Sequence, residues 1–337
     1  MLGERVRAAV IGVGHLGRHH ARILSSLEGV ELVAVVDTDP GRAAAAATAT
    51  GASARADFRE IFDQVDAVTI AVPTELHRDV ALPFLEQGTA VLVEKPMARS
   101  LTEADELVAA ARASGATLAV GHTERYNPAV AAVLPLVTSP RFIEVHRLGA
   151  FPERSLDIDV VFDLMIHDLD IILALVRSEV ESIEAVGVPV LTPKYDIANA
   201  RLRFASGCIA NVTASRISKE RVRKIRFFQP DAYLSIDYAA QEVEGWRLVR
   251  REGARPAIEG GPLPVARDEP LRRELADFIN AVRTKAAPLV DGDAGRRALA
   301  LATRVAETMS GSDLFFPNVT NIDYESVKMR NADRTAE

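Results

Sequence analysis

The chain has 337 residues, 48% of them hydrophobic, and its 40 basic against 47 acidic side chains give a net charge of −7. That length exceeds what one hydrophobic core usually serves, so two domains are expected. The acidic balance argues against nucleic acid or an anionic membrane as the main partner, and the single cysteine, Cys208, excludes an intrachain disulfide and a cysteine-built zinc cluster.

No apolar run reaches the ~18 residues of a membrane span. The N-terminus runs from Met1-Leu2-Gly3-Glu4-Arg5 straight into a strand-like segment, without the basic start and separate apolar stretch of a secretion signal. A cytoplasmic protein is the expectation. Apolar runs at 6–11, 30–36, 67–72, 90–93 and 117–120 alternate with helical spacing at 15–27, 40–50, 75–87 and 102–114. Asp39 caps the second helix, Pro40 opens it and Gly51 ends it; Ser100 and Glu103 stand at capping-box spacing before the fourth. Buried strands alternating with helices imply an α/β domain, a Rossmann-type doubly wound parallel sheet, over residues 1–122.

Residues 123–337 follow another pattern. A helix is expected over 127–137, a strand over 141–149 and a helix over 160–176. A strand over 180–190 precedes hairpins turning at Ser206-Gly207 and Pro230-Asp231, and helices follow over 269–284 and 294–309. This reads as an α+β domain with an open, mostly antiparallel sheet. The basic stretch 219–226 reads as an exposed strand edge, and the polar tail from Asn321 as loose.

Gly12-Val13-Gly14-His15-Leu16-Gly17 lies between the first strand and the first helix, the context in which glycines and a helix N-terminus cradle a pyrophosphate. Asp37 follows the second strand, 20 residues after Gly17, and its carboxylate suits ribose hydroxyls while repelling a 2′-phosphate. NAD is therefore favoured over NADP, with Thr38 beside the same ribose and Arg42 near enough to soften the choice. Ala71, Pro73 and Thr74 end the strand at 67–72, His77 follows it, and Glu94 and Lys95 follow the next one. All are expected to border the cofactor, because ligands of such sheets bind beyond the carboxyl ends of the strands.

Lys95 can donate to a substrate oxygen and stabilise alkoxide charge. His167 can take a hydroxyl proton, and Asp163, four residues earlier on one helix face, can orient its ring. His15 and His19 stand one turn apart with no third ligand evident, so no metal is expected.

Together these segments resemble the Gfo/Idh/MocA family, over nearly the whole chain. The resemblance is carried by the glycine loop, Asp37, Pro73-Thr74-Glu75-Leu76-His77, Glu94-Lys95-Pro96, Asp163-x3-His167 and Asp291-Gly292-Asp293-Ala294-Gly295-Arg296-Arg297. It implies an oxidoreductase acting on a secondary hydroxyl, with Lys95, His167 and Asp163 at the reacting carbon. It further implies a sheet that often forms a homodimer or homotetramer interface. His167 is taken as base and Lys95 as polariser, although relatives differ in this. Where many relatives have glycines around the aspartate, this chain has Asp159-Val160-Val161-Phe162 and Leu164-Met165-Ile166.

Gly121-His122-Thr123-Glu124-Arg125-Tyr126-Asn127-Pro128 looks closest to the UDP-N-acetylhexosamine 3-dehydrogenase branch. That resemblance implies a UDP-GlcNAc-like substrate oxidised at C3 in amino-sugar or polysaccharide synthesis, with Arg125, Tyr126, Asn127 and Arg154 as substrate contacts. A dehydrogenase of a free sugar or cyclic polyol, and a non-catalytic nicotinamide sensor, are the alternatives.

Overall fold

The computed structural model describes residues 5–151, 158–252 and 254–312. Strands β1 (Val6–Ile11), β2 (Val30–Val36), β3 (Ser53–Arg55), β4 (Ala67–Ile70), β5 (Ala90–Glu94) and β6 (Leu118–Gly121) form a wholly parallel sheet in the order 3-2-1-4-5-6. Helices α1 (Gly17–Leu24), α2 (Pro40–Thr50), α3 (His77–Glu86) and α4 (Leu101–Ser114) connect them. Every residue of β4, β5 and β6 is buried, as continuous apolar runs require when both faces are covered. The strand order reverses between β1 and β4, which places the ligand crevice at their carboxyl ends.

Asp39 caps α2 through the N–H groups of Gly41 and Arg42, and left-handed Gly51 closes it. At α4 only half of the expected box forms. Ser100 accepts from the Glu103 N–H, but the Glu103 carboxylate turns back to the Arg99 N–H and guanidinium instead. A complete box occurs at Asp57 and Glu60, opening a 3₁₀ helix over Phe58–Gln64 that the sequence pattern does not predict. The helix expected from Glu75 begins as a 3₁₀ turn, Thr74–Leu76, before α3.

The second half contributes α5 (Pro128–Val133), β7 (Phe142–Leu148), α6 (Ile166–Val176), β8 (Val180–Val188), β9 (Ile197–Phe204), β10 (Ile209–Ser215), β11 (Val222–Phe228), β12 (Ala232–Asp237), β13 (Glu242–Val249), β14 (Ala257–Leu263), α7 (Pro270–Thr284) and α8 (Gly292–Ser312). Its eight strands run in the order 14-13-12-11-7-10-9-8, antiparallel except for the β7–β10 pair.

Helix α5 ends at Val133, short of the expected 137, because Pro135 removes an N–H and disfavours helix at the residue before it. The stretch read as a strand edge is not one: β11 lies inside the sheet, between β12 and β7. The true edges include β14, whose Pro262 and two glycines fit an edge position and hide its strand character in the sequence.

Helices α6 and α8 cover the inner face of this sheet around Val161, Ile166, Leu169, Ala200, Val212, Ile225 and Val305. Leu275, Phe278, Ile279 and Val282 of α7 pack instead with Val6, Val10, Ile23 and Leu24 of the parallel domain. Val290, Ala294 and Leu299 join its other layer. These late helices pack on both sheets, and the cleft lies between them.

Candidate active site

The phosphate loop is shaped by close packing. Gly12 has a left-handed φ of 82°, and a Cβ there would lie 2.7 Å from the Ala71 carbonyl oxygen. A Cβ on Gly17 would lie 1.7 Å from the Gly12 oxygen, whereas one on Gly14 would meet nothing within 4 Å. The first two glycines let the loop close on itself; the third leaves its approach face clear for a diphosphate at the start of α1. His15 and His19 stack edge to face, ring centroids 5.9 Å apart.

Asp37 is buried, and its Oδ2 accepts from the Val13 N–H at 3.0 Å. Its Oδ1 accepts from the Asp39 N–H at 2.9 Å and from the Arg42 guanidinium at 2.9 and 3.2 Å. Burial alone would raise the carboxyl; these hydrogen bonds outweigh it and hold the group below its ordinary value. Oδ2 keeps a lone pair for a ribose hydroxyl. Thr38 beside it is exposed. These residues fit a dinucleotide.

A cavity of about 990 Å³ runs from Leu16, Ala71, Pro73 and Thr74 past Glu94 and Lys95 to Asp163, His167 and Arg223. Lys95, beyond β5 and joined to Pro96 by a cis peptide bond, donates to the Asp163 backbone oxygen at 2.7 Å and to its Oδ1 at 3.1 Å. Asp163 therefore grips the lysine. No bond from its carboxylate to the His167 ring occurs among the described residues, so its expected orienting role is not seen. The reason is local: residues Val161–Met165 form a π turn rather than the predicted α-helix, and His167 stands one turn later, at the start of α6.

His167 lines the cavity with its Nδ1 buried. Burial, then the charges of Lys95 and Arg147, push it well below the ordinary histidine value, so the ring is neutral at neutral pH and able to accept a proton. His122 stands edge-on behind it, centroids 5.8 Å apart. Neither His122 nitrogen has a partner among the described residues, and burial with nearby Lys95 and Arg125 drives that ring to about 3.

His77 and Glu94 line the cavity as expected, but both are already engaged within the protein. The His77 ring lies between the carbonyl oxygens of Pro96 (2.9 Å) and Val72 (3.0 Å), tying the ends of two strands together. Glu94 is buried against the His20 ring at 3.1 Å, and its Oε2 accepts from the Lys95 N–H at 3.2 Å. Burial would raise Glu94, but the His20 bond and the charge of Lys95 outweigh it.

Arg125 and Tyr126, expected at the substrate, do not reach the cavity. Arg125 is buried on Asp170, 3.4 Å from its Oδ1, and the Tyr126 hydroxyl donates to Asp277 at 2.9 Å. Burial, opposed by Arg125 and Arg297, raises the Asp170 carboxyl to about 7. Asn127 does line the cavity, but its side chain caps α5 and bonds the Tyr238 carbonyl oxygen. Arg154 lies outside the described residues.

The sequence reading missed Glu124, Arg147 and Arg223. Arg147 binds Asp168 bidentately at 2.6 and 2.9 Å, reaches Glu124 at 3.0 Å and lies over the Tyr238 ring. A signal for them exists. Arg147 continues the buried alternation Ile143, Val145, and Arg223 precedes the buried positions Ile225 and Phe227. A charge in the core register of a strand asks for a buried acid or a cavity.

Comparison with known proteins agrees with this geometry. Residues 6–122 match the model of the oxidoreductase family with NAD-binding Rossmann fold, and residues 142–230 that of the GFO/IDH/MocA C-terminal domain. A UDP-N-acetylglucosamine 3-dehydrogenase of Acidithiobacillus ferrooxidans is 38% identical over 304 residues, covering 89% of this chain and 96% of that protein. A scyllo-inositol 2-dehydrogenase of Bacillus subtilis is 31% identical over 64% of this chain and 68% of its own length. A solved structure of the Acidithiobacillus enzyme superposes with a TM-score of 0.85 at 36% identity, covering 91% of this chain and 98% of the other. With the strand order, the glycine loop and the cleft in place, the chain belongs to the Gfo/Idh/MocA family of oxidoreductases.

Proposed function

We propose that this protein oxidises the C3 hydroxyl of UDP-GlcNAc to the 3-keto sugar nucleotide, using NAD. The observation that carries the reading is the convergence of Lys95, from the end of β5, and His167, from α6, on one cavity. Its agreement with a 3-dehydrogenase relative along almost the whole length of both chains selects the substrate.

Bound NAD supplies the hydride acceptor. The loop at Gly12, Gly14 and Gly17 would hold its diphosphate, and Asp37 would accept a hydrogen bond from a ribose hydroxyl. That buried carboxylate favours NAD over NADP, and Arg42 is already bound to it. Lys95 has three N–H donors, two of them fixed by Asp163. The third is left to donate to the reacting oxygen and to stabilise it as its proton leaves. Neutral His167 accepts that proton.

NADH absorbance on mixing the protein with NAD and UDP-GlcNAc, myo-inositol or glucose tests the substrate. UDP-GlcNAc is expected to give kcat/KM at least about tenfold above the others, a transition-state difference of about 1.4 kcal/mol. Preference for myo-inositol would replace this reading with polyol oxidation. A Lys95→Ala variant is expected to retain NAD and lose turnover, which also separates an enzyme from a nicotinamide sensor.

A further inference from the structure

Arg223 occupies the inner face of the second sheet, beside Arg147 across the β11–β7 pair. The next two residues on its face, Ile225 and Phe227, are fully buried, yet its own side chain is 54% exposed. The sheet therefore passes from core to cleft between Ile225 and Arg223, and Arg223 lines the cavity that holds Lys95 and His167.

The cleft's cations differ in how they are held. Asp163 holds Lys95, Asp168 and Glu124 hold Arg147, and Asp196 holds Arg216. Among the described residues Arg223 forms an ion pair only with Glu124, at 3.9 Å, and that carboxylate already accepts from Arg147 at 3.0 Å. Among the described residues no hydrogen bond engages its guanidinium. An arginine with a free planar fork of donors, in a cleft and next to a neutralised arginine, suits the oxygens of a phosphate. A polyol or free sugar offers it no charge.

We propose that Arg223 binds the diphosphate of the sugar nucleotide and so distinguishes nucleotide-linked from free sugars. This rests on the sugar-nucleotide reading above. The diphosphate takes no part in the bond changes at the oxidised carbon, so the contact contributes equally to ground state and transition state and acts on KM more than on kcat.

Calorimetric titration of UDP into the NAD-loaded protein tests this. It is paired with kcat and KM for UDP-GlcNAc, GlcNAc 1-phosphate and GlcNAc in wild type, Arg223→Gln and Arg223→Lys. Loss of a charge-assisted pair is expected to weaken UDP binding and raise KM for UDP-GlcNAc about 10–100-fold in Arg223→Gln. Arg223→Lys should recover part of this, and NAD affinity, read separately, should match wild type. A smaller rise with GlcNAc 1-phosphate assigns the contact to both phosphates rather than one. If Arg223→Gln binds UDP as wild type does, or loses GlcNAc as severely as UDP-GlcNAc, Arg223 is not the diphosphate contact although the substrate reading stands. Wild-type protein indifferent to UDP overturns both.

Discussion

In the proposed reaction Lys95 and His167 divide the handling of one hydroxyl, and the surroundings of each suit it to its role. Asp163 fixes the ammonium through two bonds. Burial, and then the charges of Lys95 and Arg147, oppose a proton on His167. A histidine depressed in this way stays unprotonated, and competent as a base, to lower pH than a free one. The acid limb of kcat/KM is therefore expected well below pH ~6.5. His167→Asn should abolish that limb and lower kcat by about 10²–10⁴-fold. An acid limb at or above the ordinary histidine value would show that another group titrates. The residues of this pair were readable in the sequence because strand ends and a short spacing mark them. Their partners were not. Asp163 was expected to serve His167 and serves Lys95, since a π turn changes the angle between positions four apart. Arg125 and Tyr126 looked available for a ligand, but Asp170 and Asp277, distant in sequence, claim them.

At the level of elements, apolar runs and caps located most strands and helices, including α2 with both of its ends. Strands β3, β13 and β14 escaped because three residues, an interrupting glycine, or a Gly-Gly-Pro run carry little pattern of their own; pairing with neighbours makes them strands. The loop from β1 to α1 separates packing from ligand approach at single positions. Gly17→Ala would drive a methyl into the Gly12 carbonyl and is expected to destabilise the fold by about 1–3 kcal/mol, lowering the melting temperature along with NAD affinity. Gly14→Ala meets open space and should leave stability within about 0.5 kcal/mol while weakening NAD at least about tenfold. Thermal melts and NAD titrations of both variants distinguish the two roles. Equal melting temperatures with equal NAD affinities would contradict the assignment.

Across the whole molecule, the cleft depends on chain segments far apart in sequence. Helix α7 and the start of α8 pack on the parallel sheet, while the rest of α8 packs under the second sheet. That closure brings Lys95 to Asp163, 68 residues away, within hydrogen-bond distance. The fold class and the parallel domain were legible from periodicity. The return of the late helices was not, because an amphipathic helix does not declare which sheet it will cover. The claim that joins all three scales is hydride removal from one sugar carbon inside this cleft. UDP-GlcNAc deuterated at C3, incubated with the protein and NAD and followed by mass spectrometry and NMR, tests it directly. The expected result is deuterium on the reduced nicotinamide and a carbonyl at C3 of the sugar. Deuterium retained at C3 while NADH accumulates, or a carbonyl at another carbon, would contradict it.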